Sequence, residues 1–227
     1  MKHSANIILG ARLRLRLFRR VLSRTWRSVI LGRAKFLIQS VDHETSQTAQ
    51  LSTPAIFLSS FETPLDFWVL SYLFQEKELT FLSPRQLPAD KVLKQIKRVN
   101  RVLYLDEKVN FRFLRELLTT LRDFNRSVVI SPQAAEKYAS RIPIDPVIVI
   151  RIAMSATVPI IPIVISWNGK KCRIWVGPKI YISPQSEEFK DIFFKQRGVR
   201  KYRDLPAEDL VTIGSRIFSK LKRSETY

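Results

Sequence analysis

From Pro54 onward, short apolar runs alternate with longer stretches of helical periodicity, and this alternation most constrains the fold. Ala55 to Leu58 reads as a buried strand, and Pro64 opens a helix to about Gln75 with Leu65, Trp68, Val69 and Tyr72 along one face. Strands follow at Leu79 to Leu82, Val102 to Leu105 and Ser127 to Ile130. Helices are expected at Pro88 to Lys97 and at Asn110 to Phe124, the latter with the stripe Phe113, Leu114, Leu117, Leu118 and Leu121. A helix entered at Pro146 should run over Val147 to Met154, before a strand at Ile160 to Ser166. Further strands are read at Cys172 to Val176 and Lys179 to Ile182, with Asn168-Gly169 as a hairpin turn. Pro206 to Arg223 closes the chain as a helix. Strands alternating with helices predict a layered α/β domain.

Ahead of this region the chain changes character. No Asp or Glu precedes Asp42, whereas Lys2, Arg12, Arg14, Arg16, Arg19, Arg20, Arg24, Arg27, Arg33 and Lys35 do, supplying over half of the formal net charge of +19. Phe18, Val21, Leu22, Trp26, Val29 and Ile30 recur at helical spacing, with Arg16, Arg19, Arg20, Arg24 and Arg27 largely on the other side. Such a helix suits an anionic membrane surface, where apolar groups enter the acyl region and guanidinium groups meet phosphates. Arg12, Arg16, Phe18, Arg19, Arg20, Leu22, Trp26 and Arg27 are the expected membrane-binding residues. A removable organellar targeting segment and a helix packed on the domain are the alternatives. The polar stretch Gln39 to Thr53 lacks periodicity and reads as a linker. The chain thus divides into a basic segment (1–41), a linker (42–53) and an α/β domain (54–227).

Several functions are disfavoured by composition. Cys172 is the only cysteine, and His3 and His43 are the only histidines. A disulfide framework and a cysteine zinc site lack their residues, and with two histidines a histidine-built metal site or a Ser-His-Asp triad is disfavoured. The most apolar region, Ile142 to Trp167, contains Asp145, Arg151 and four prolines, so it reads as a helix and a strand rather than a membrane span.

Four blocks in the domain carry a resemblance. Thr53 to Asp66 includes Ser59-Ser60-Phe61 and, five positions after Phe61, Asp66. Tyr104-Leu105-Asp106-Glu107 follows, then Val129-Ile130-Ser131-Pro132-Gln133-Ala134-Ala135-Glu136, then Ala153 to Ile163 with its Val158-Pro159-Ile160-Ile161-Pro162-Ile163 ending. In order and spacing these resemble the glycerolipid acyltransferases, the lysophosphatidic-acid acyltransferase superfamily. That family has Ser-Asn-His followed by an Asp in the pattern H-x-x-x-x-D, then F-I-D-R, F-P-E-G-T-R and V-P-I-I-P-V. The resemblance implies an acyltransferase-like domain with a mixed central sheet flanked by helices, preceded by a basic amphipathic helical segment. It further implies a glycerol-phosphate acceptor, an acyl-CoA or acyl carrier protein donor, and no cofactor or metal.

The residues that work in the family are mostly replaced here. Phe61 stands at the position of the catalytic His, while Asp66 keeps the position of the group that orients it. A phenyl ring accepts no proton, and general-base catalysis is typically worth ~100- to 10,000-fold. Asp66 without an imidazole would cap or turn the chain near Pro64. At the family's phosphate-binding positions, Glu107 replaces an Arg with Lys108 beside it, Pro132 is kept, Gln133 replaces Glu, Ala134 replaces Gly, and Glu136 replaces an Arg. A carboxylate there repels a phosphate.

These substitutions predict a degraded active site, and the basic first segment predicts a protein peripheral to the cytoplasmic face of an inner membrane. Such a protein would bind lipid or lysophospholipid, or support an active acyltransferase partner. One alternative is an active enzyme using a displaced base, for which Glu62 and His43 are the candidates near in sequence. The other is a nucleic-acid or ribonucleoprotein-associated protein, favoured by the basic and aromatic run Lys195 to Arg203.

Overall fold

The computed structural model describes residues 29, 32–43, 54–59, 64–74, 79–84, 101–105, 111–130, 146–195 and 205–224. Its centre is a seven-stranded sheet formed by β1 (Ile38–His43), β2 (Ile56–Ser59), β3 (Leu79–Pro84), β4 (Arg101–Leu105), β5 (Ser127–Ile130), β6 (Ile160–Asn168) and β7 (Lys171–Val176). In space the order is β1-β7-β6-β2-β5-β3-β4. The five strands β6, β2, β5, β3 and β4 run parallel; β7 is antiparallel to β6, and β1 is parallel to β7. The fold is therefore a mixed α/β sheet flanked by helices: the alternation predicts the layered α/β class, and the mixed sheet is what the resemblance implies.

The strands of the parallel part are continuous apolar runs because both of their faces are covered. All four residues of β2 and of β5 are buried. Ile56, Leu58, Val128, Ile130 and Ile160 point to one side, where α2 (Phe111–Arg122), α3 (Pro146–Ala156), α4 (Lys190–Lys195) and α5 (Ala207–Ser224) pack. Ala55, Phe57, Phe81, Val129, Ile161, Ile163 and Ile165 point to the other, where α1 (Pro64–Leu73) lies. There Phe57 stacks on Phe74 with ring centroids 4.2 Å apart, and Phe67 meets Phe81 at 4.9 Å.

Local chemistry sets several boundaries. β6 and β7 are joined by the two-residue loop Gly169-Lys170, whose first residue has φ 60°, a conformation that glycine adopts without strain. Thr157 has φ 56° and ends α3; its N–H bonds Met154 O and the N–H of Val158 bonds Ala153 O, the hydrogen-bond pair of a Schellman cap. A Cβ on Gly177 would meet Pro162 and the Trp175 ring at 2.6 Å, so the backbone closes against that ring only without a side chain.

Three elements differ from expectation. β1 lies where the sequence reads as the end of the basic segment and the start of the linker. Its register shifts between Ile38 and Ser40, so the core-packed Ile38 and Val41 are three positions apart and the period-two signal is lost. Residues Lys179 to Ile182 make only an isolated bridge, Ile160 to Ile180, rather than a strand. α4 was not anticipated, although Phe189, Ile192 and Phe193 at helical spacing mark it. The expected helix Pro88 to Lys97 lies outside the described residues, as does nearly all of the basic segment.

Candidate functional site

Because β2 to β6 are parallel, their carboxyl ends share one edge of the sheet. The first block leaves β2 at this edge, the second leaves β4, and the third leaves β5. The fourth block builds α3 and β6 themselves. The strand order changes direction around β2, since the chain passes from β2 to β3 on the α1 side and from β5 to β6 by way of α3 on the other. Ligands of open α/β sheets bind outside the carboxyl ends at such a reversal. This edge is the candidate site.

Phe61, Glu107, Lys108, Pro132, Gln133, Ala134 and Glu136 lie outside the described residues, as do Arg12, Arg16, Phe18, Arg19, Arg20, Leu22, Trp26 and Arg27. So do Glu62 and the run Gln196 to Arg203. Of the candidate site residues, Asp66 is the one whose surroundings are described. His43 ends β1, in the linker part of the expected division.

Asp66 sits in the first turn of α1 with 2% of its surface exposed. Its carboxylate reaches across to β6. The indole Nε1–H of Trp167 donates to Asp66 Oδ1 at 2.6 Å. A carboxylate at a helix N-terminus is favoured by the helix dipole, and a short charge-assisted bond helps offset its burial. Indole is a donor only, so Trp167 holds the carboxylate but cannot relay a proton.

Trp167 lies directly across the ladder from Cys172, on the α1 side of the sheet. The Cys172 thiol is buried, and its pKa is pushed up to about 11 by burial and by the nearby negative charge of Asp66. A thiol in that state is inert rather than nucleophilic. Ser59 ends β2 beside Ile163 of β6, fully buried, and among the described residues its hydroxyl has no hydrogen-bond partner. Among the described residues the Trp68 Nε1 on α1 has none either. Trp167 and Cys172 were not anticipated as part of the site. Each is far from Asp66 in sequence, and only the sheet register brings them together.

Among the described residues no three His, Cys, Asp or Glu side chains group as metal ligands, and no helix is long and apolar enough to cross a membrane. No protein-family model matches the chain, and no curated protein matches it significantly. Among solved structures it is similar to the 1-acyl-sn-glycerophosphate (LPA) acyltransferase PlsC from Thermotoga maritima. The two share 16% identity with a TM-score of 0.48, over 83% of this chain and 82% of that one. At that level the similarity assigns neither chemistry nor substrate.

Proposed function

We propose that this chain is an acyltransferase-like protein of glycerophospholipid metabolism whose active site no longer performs general-base chemistry. It acts at a membrane surface as a lipid-binding protein or as a support for an active acyltransferase. The observation that carries this reading is the engagement of Asp66. In a base-orienter pair the carboxylate accepts from an imidazole that takes the substrate proton. Here Asp66 accepts from the indole of Trp167, and the sequence offers Phe61 where the imidazole would be. The arrival of three motif-bearing segments at one sheet edge supports the same reading.

The test is acyl transfer by the full-length protein in lipid vesicles with lysophosphatidic acid and a long-chain acyl-CoA or acyl carrier protein. Product is read by mass spectrometry beside Phe61→His. We expect no transfer by the unmodified protein. A retained pocket would give measurable transfer by Phe61→His, and more by Phe61→His combined with Trp167→Phe, where the indole no longer competes for Asp66. Transfer by the unmodified protein would overturn the proposal in favour of a displaced base.

A further inference from the structure

The start of β1 and the start of β7 lie at the same edge of the sheet as the carboxyl ends of β2 to β6, because β7 is antiparallel to β6 and β1 is parallel to β7. Residues 32–37 are helical and lead directly into β1. Within them Arg33, Lys35 and Phe36 are exposed, Phe36 with 74% of its surface. The β6–β7 turn beside them exposes Lys170 and Lys171, followed by Arg173. Lys171 Nζ donates to the carbonyl oxygen of Phe36, joining the two segments into one surface.

The same edge carries further exposed apolar side chains. Leu65 opens α1 with 38% of its surface exposed, and Phe111 opens α2 with 81%, next to exposed Arg112 and Arg115. At these element ends, among the described residues, no carboxylate is exposed; Asp66 is buried. The turns between them add Glu62, Asp106 and Glu107 in sequence, so the strongly basic part is the β1–β7–β6 side. At the other end of α2 the exposed Phe124 is preceded by an exposed acid, Asp123. Seven strands at ~4.8 Å spacing make this edge about 29 Å wide.

We infer that the surface formed by Phe36, Lys170 and Lys171, with Arg33 and Lys35, seats on an anionic lipid bilayer, so that the edge bearing the candidate site faces the membrane. Two complementarities carry this. The cations match a negatively charged headgroup layer, each worth about fivefold in binding near such a surface. Phe36 projects among them and, with Leu65 and Phe111 farther along the same edge, suits the headgroup–acyl boundary. The basic amphipathic stretch immediately before residue 32 continues the same chemistry along the chain. The inference rests on the peripheral-membrane reading above and adds to it a second contact, the β6–β7 turn, together with an orientation.

The test uses the full chain and two kinds of vesicle, phosphatidylcholine alone and phosphatidylcholine with phosphatidylglycerol, with binding read by co-sedimentation. Lys170→Glu with Lys171→Glu should weaken binding to the anionic vesicles by about 25-fold or more. The charge-matched pair Arg122→Glu with Lys190→Glu should change it by less than about threefold, a loss attributable to long-range charge that salt screens. A second measurement avoids disturbing the Lys171 contact. An environment-sensitive dye on Lys170→Cys, with buried Cys172 unreactive, should shift to the blue on adding anionic vesicles, and the same dye on Arg122→Cys should not.

Vesicle binding with equal losses in both charge-reversed pairs and no dye response would overturn this orientation while leaving the peripheral-membrane reading intact. No binding of the unmodified protein to anionic vesicles would overturn both. Capture of a single-stranded RNA homopolymer through Lys170 and Lys171, in place of vesicles, would overturn the lipid assignment in favour of nucleic acid.

Discussion

On one side of the sheet α2, α3, α4 and α5 bury Leu117, Leu121, Val149, Ile150, Ile213 and Ile217 against the strands. That side is an ordinary apolar interior, its buried Thr120 hydroxyl bonded back to Glu116 O at 2.7 Å. On the α1 side an equally apolar core around Phe57 and Phe81 ends, at the carboxyl edge, in Asp66, Trp167 and Cys172. The two sides teach a division of labour: on the first the buried Thr120 bonds within its own helix, while on the second the Asp66–Trp167 bond holds the start of α1 against β6. Buried polar groups need partners, and the Asp66–Trp167 bond is the kind of paired arrangement that burial permits.

Three measurements can break or sharpen that contrast. The largest effect should come from the apolar load that both sides share. Phe57→Ala, which empties a fully buried site and its stack with Phe74, should cost about 3–5 kcal/mol in chemical denaturation, and Leu117→Ala about 2–5 kcal/mol. A loss confined to one side would mean that the sheet does not unite the two cores. Next, Trp167→Phe keeps an aromatic ring but removes the donor to Asp66, and should cost about 1.5–3 kcal/mol. Combining it with Asp66→Asn in a double-mutant cycle should recover part of that loss. Independent, additive effects would show that the bond adds nothing beyond packing.

The smallest effect depends on pH. The folded state holds the Cys172 proton more tightly than the unfolded chain, with a pKa of about 11 against 9.0. Stability from this group is therefore complete below about pH 9 and falls as pH rises toward 11, by roughly 1–1.5 kcal/mol at pH 10. Cys172→Val should flatten that part of the profile relative to the unmodified protein. An unchanged slope would mean that the thiol is not isolated from water as its burial indicates.

Much of the fold was legible because its strands are continuous apolar runs and its helices carry stripes. Ser127 to Ile130 was read at the observed bounds, and α2, α3 and α5 within a few residues. β1 was not legible, since a bulged edge strand with a solvent-facing side looks like polar linker. α4 was too short to stand out between loops. Asp66 was singled out in the sequence by its spacing to Phe61, but the residue it bonds was not. Trp167 looks in sequence like one more aromatic at a strand end, and nothing local links it to a carboxylate a hundred positions away. Contacts made by sheet register leave no local trace in composition or periodicity.

The β1–β7 pairing has a kinetic consequence. β1 is the first strand of the sheet along the chain, yet its partner β7 is the last, so Ile38 cannot meet Cys172 until most of the protein has been synthesised. Loop-closure entropy makes such a distant pairing a late event in folding. The basic segment ahead of β1 therefore emerges with its anchoring strand still unpaired. The sheet edge that carries the β6–β7 turn is therefore finished only once β7 has folded back onto β1.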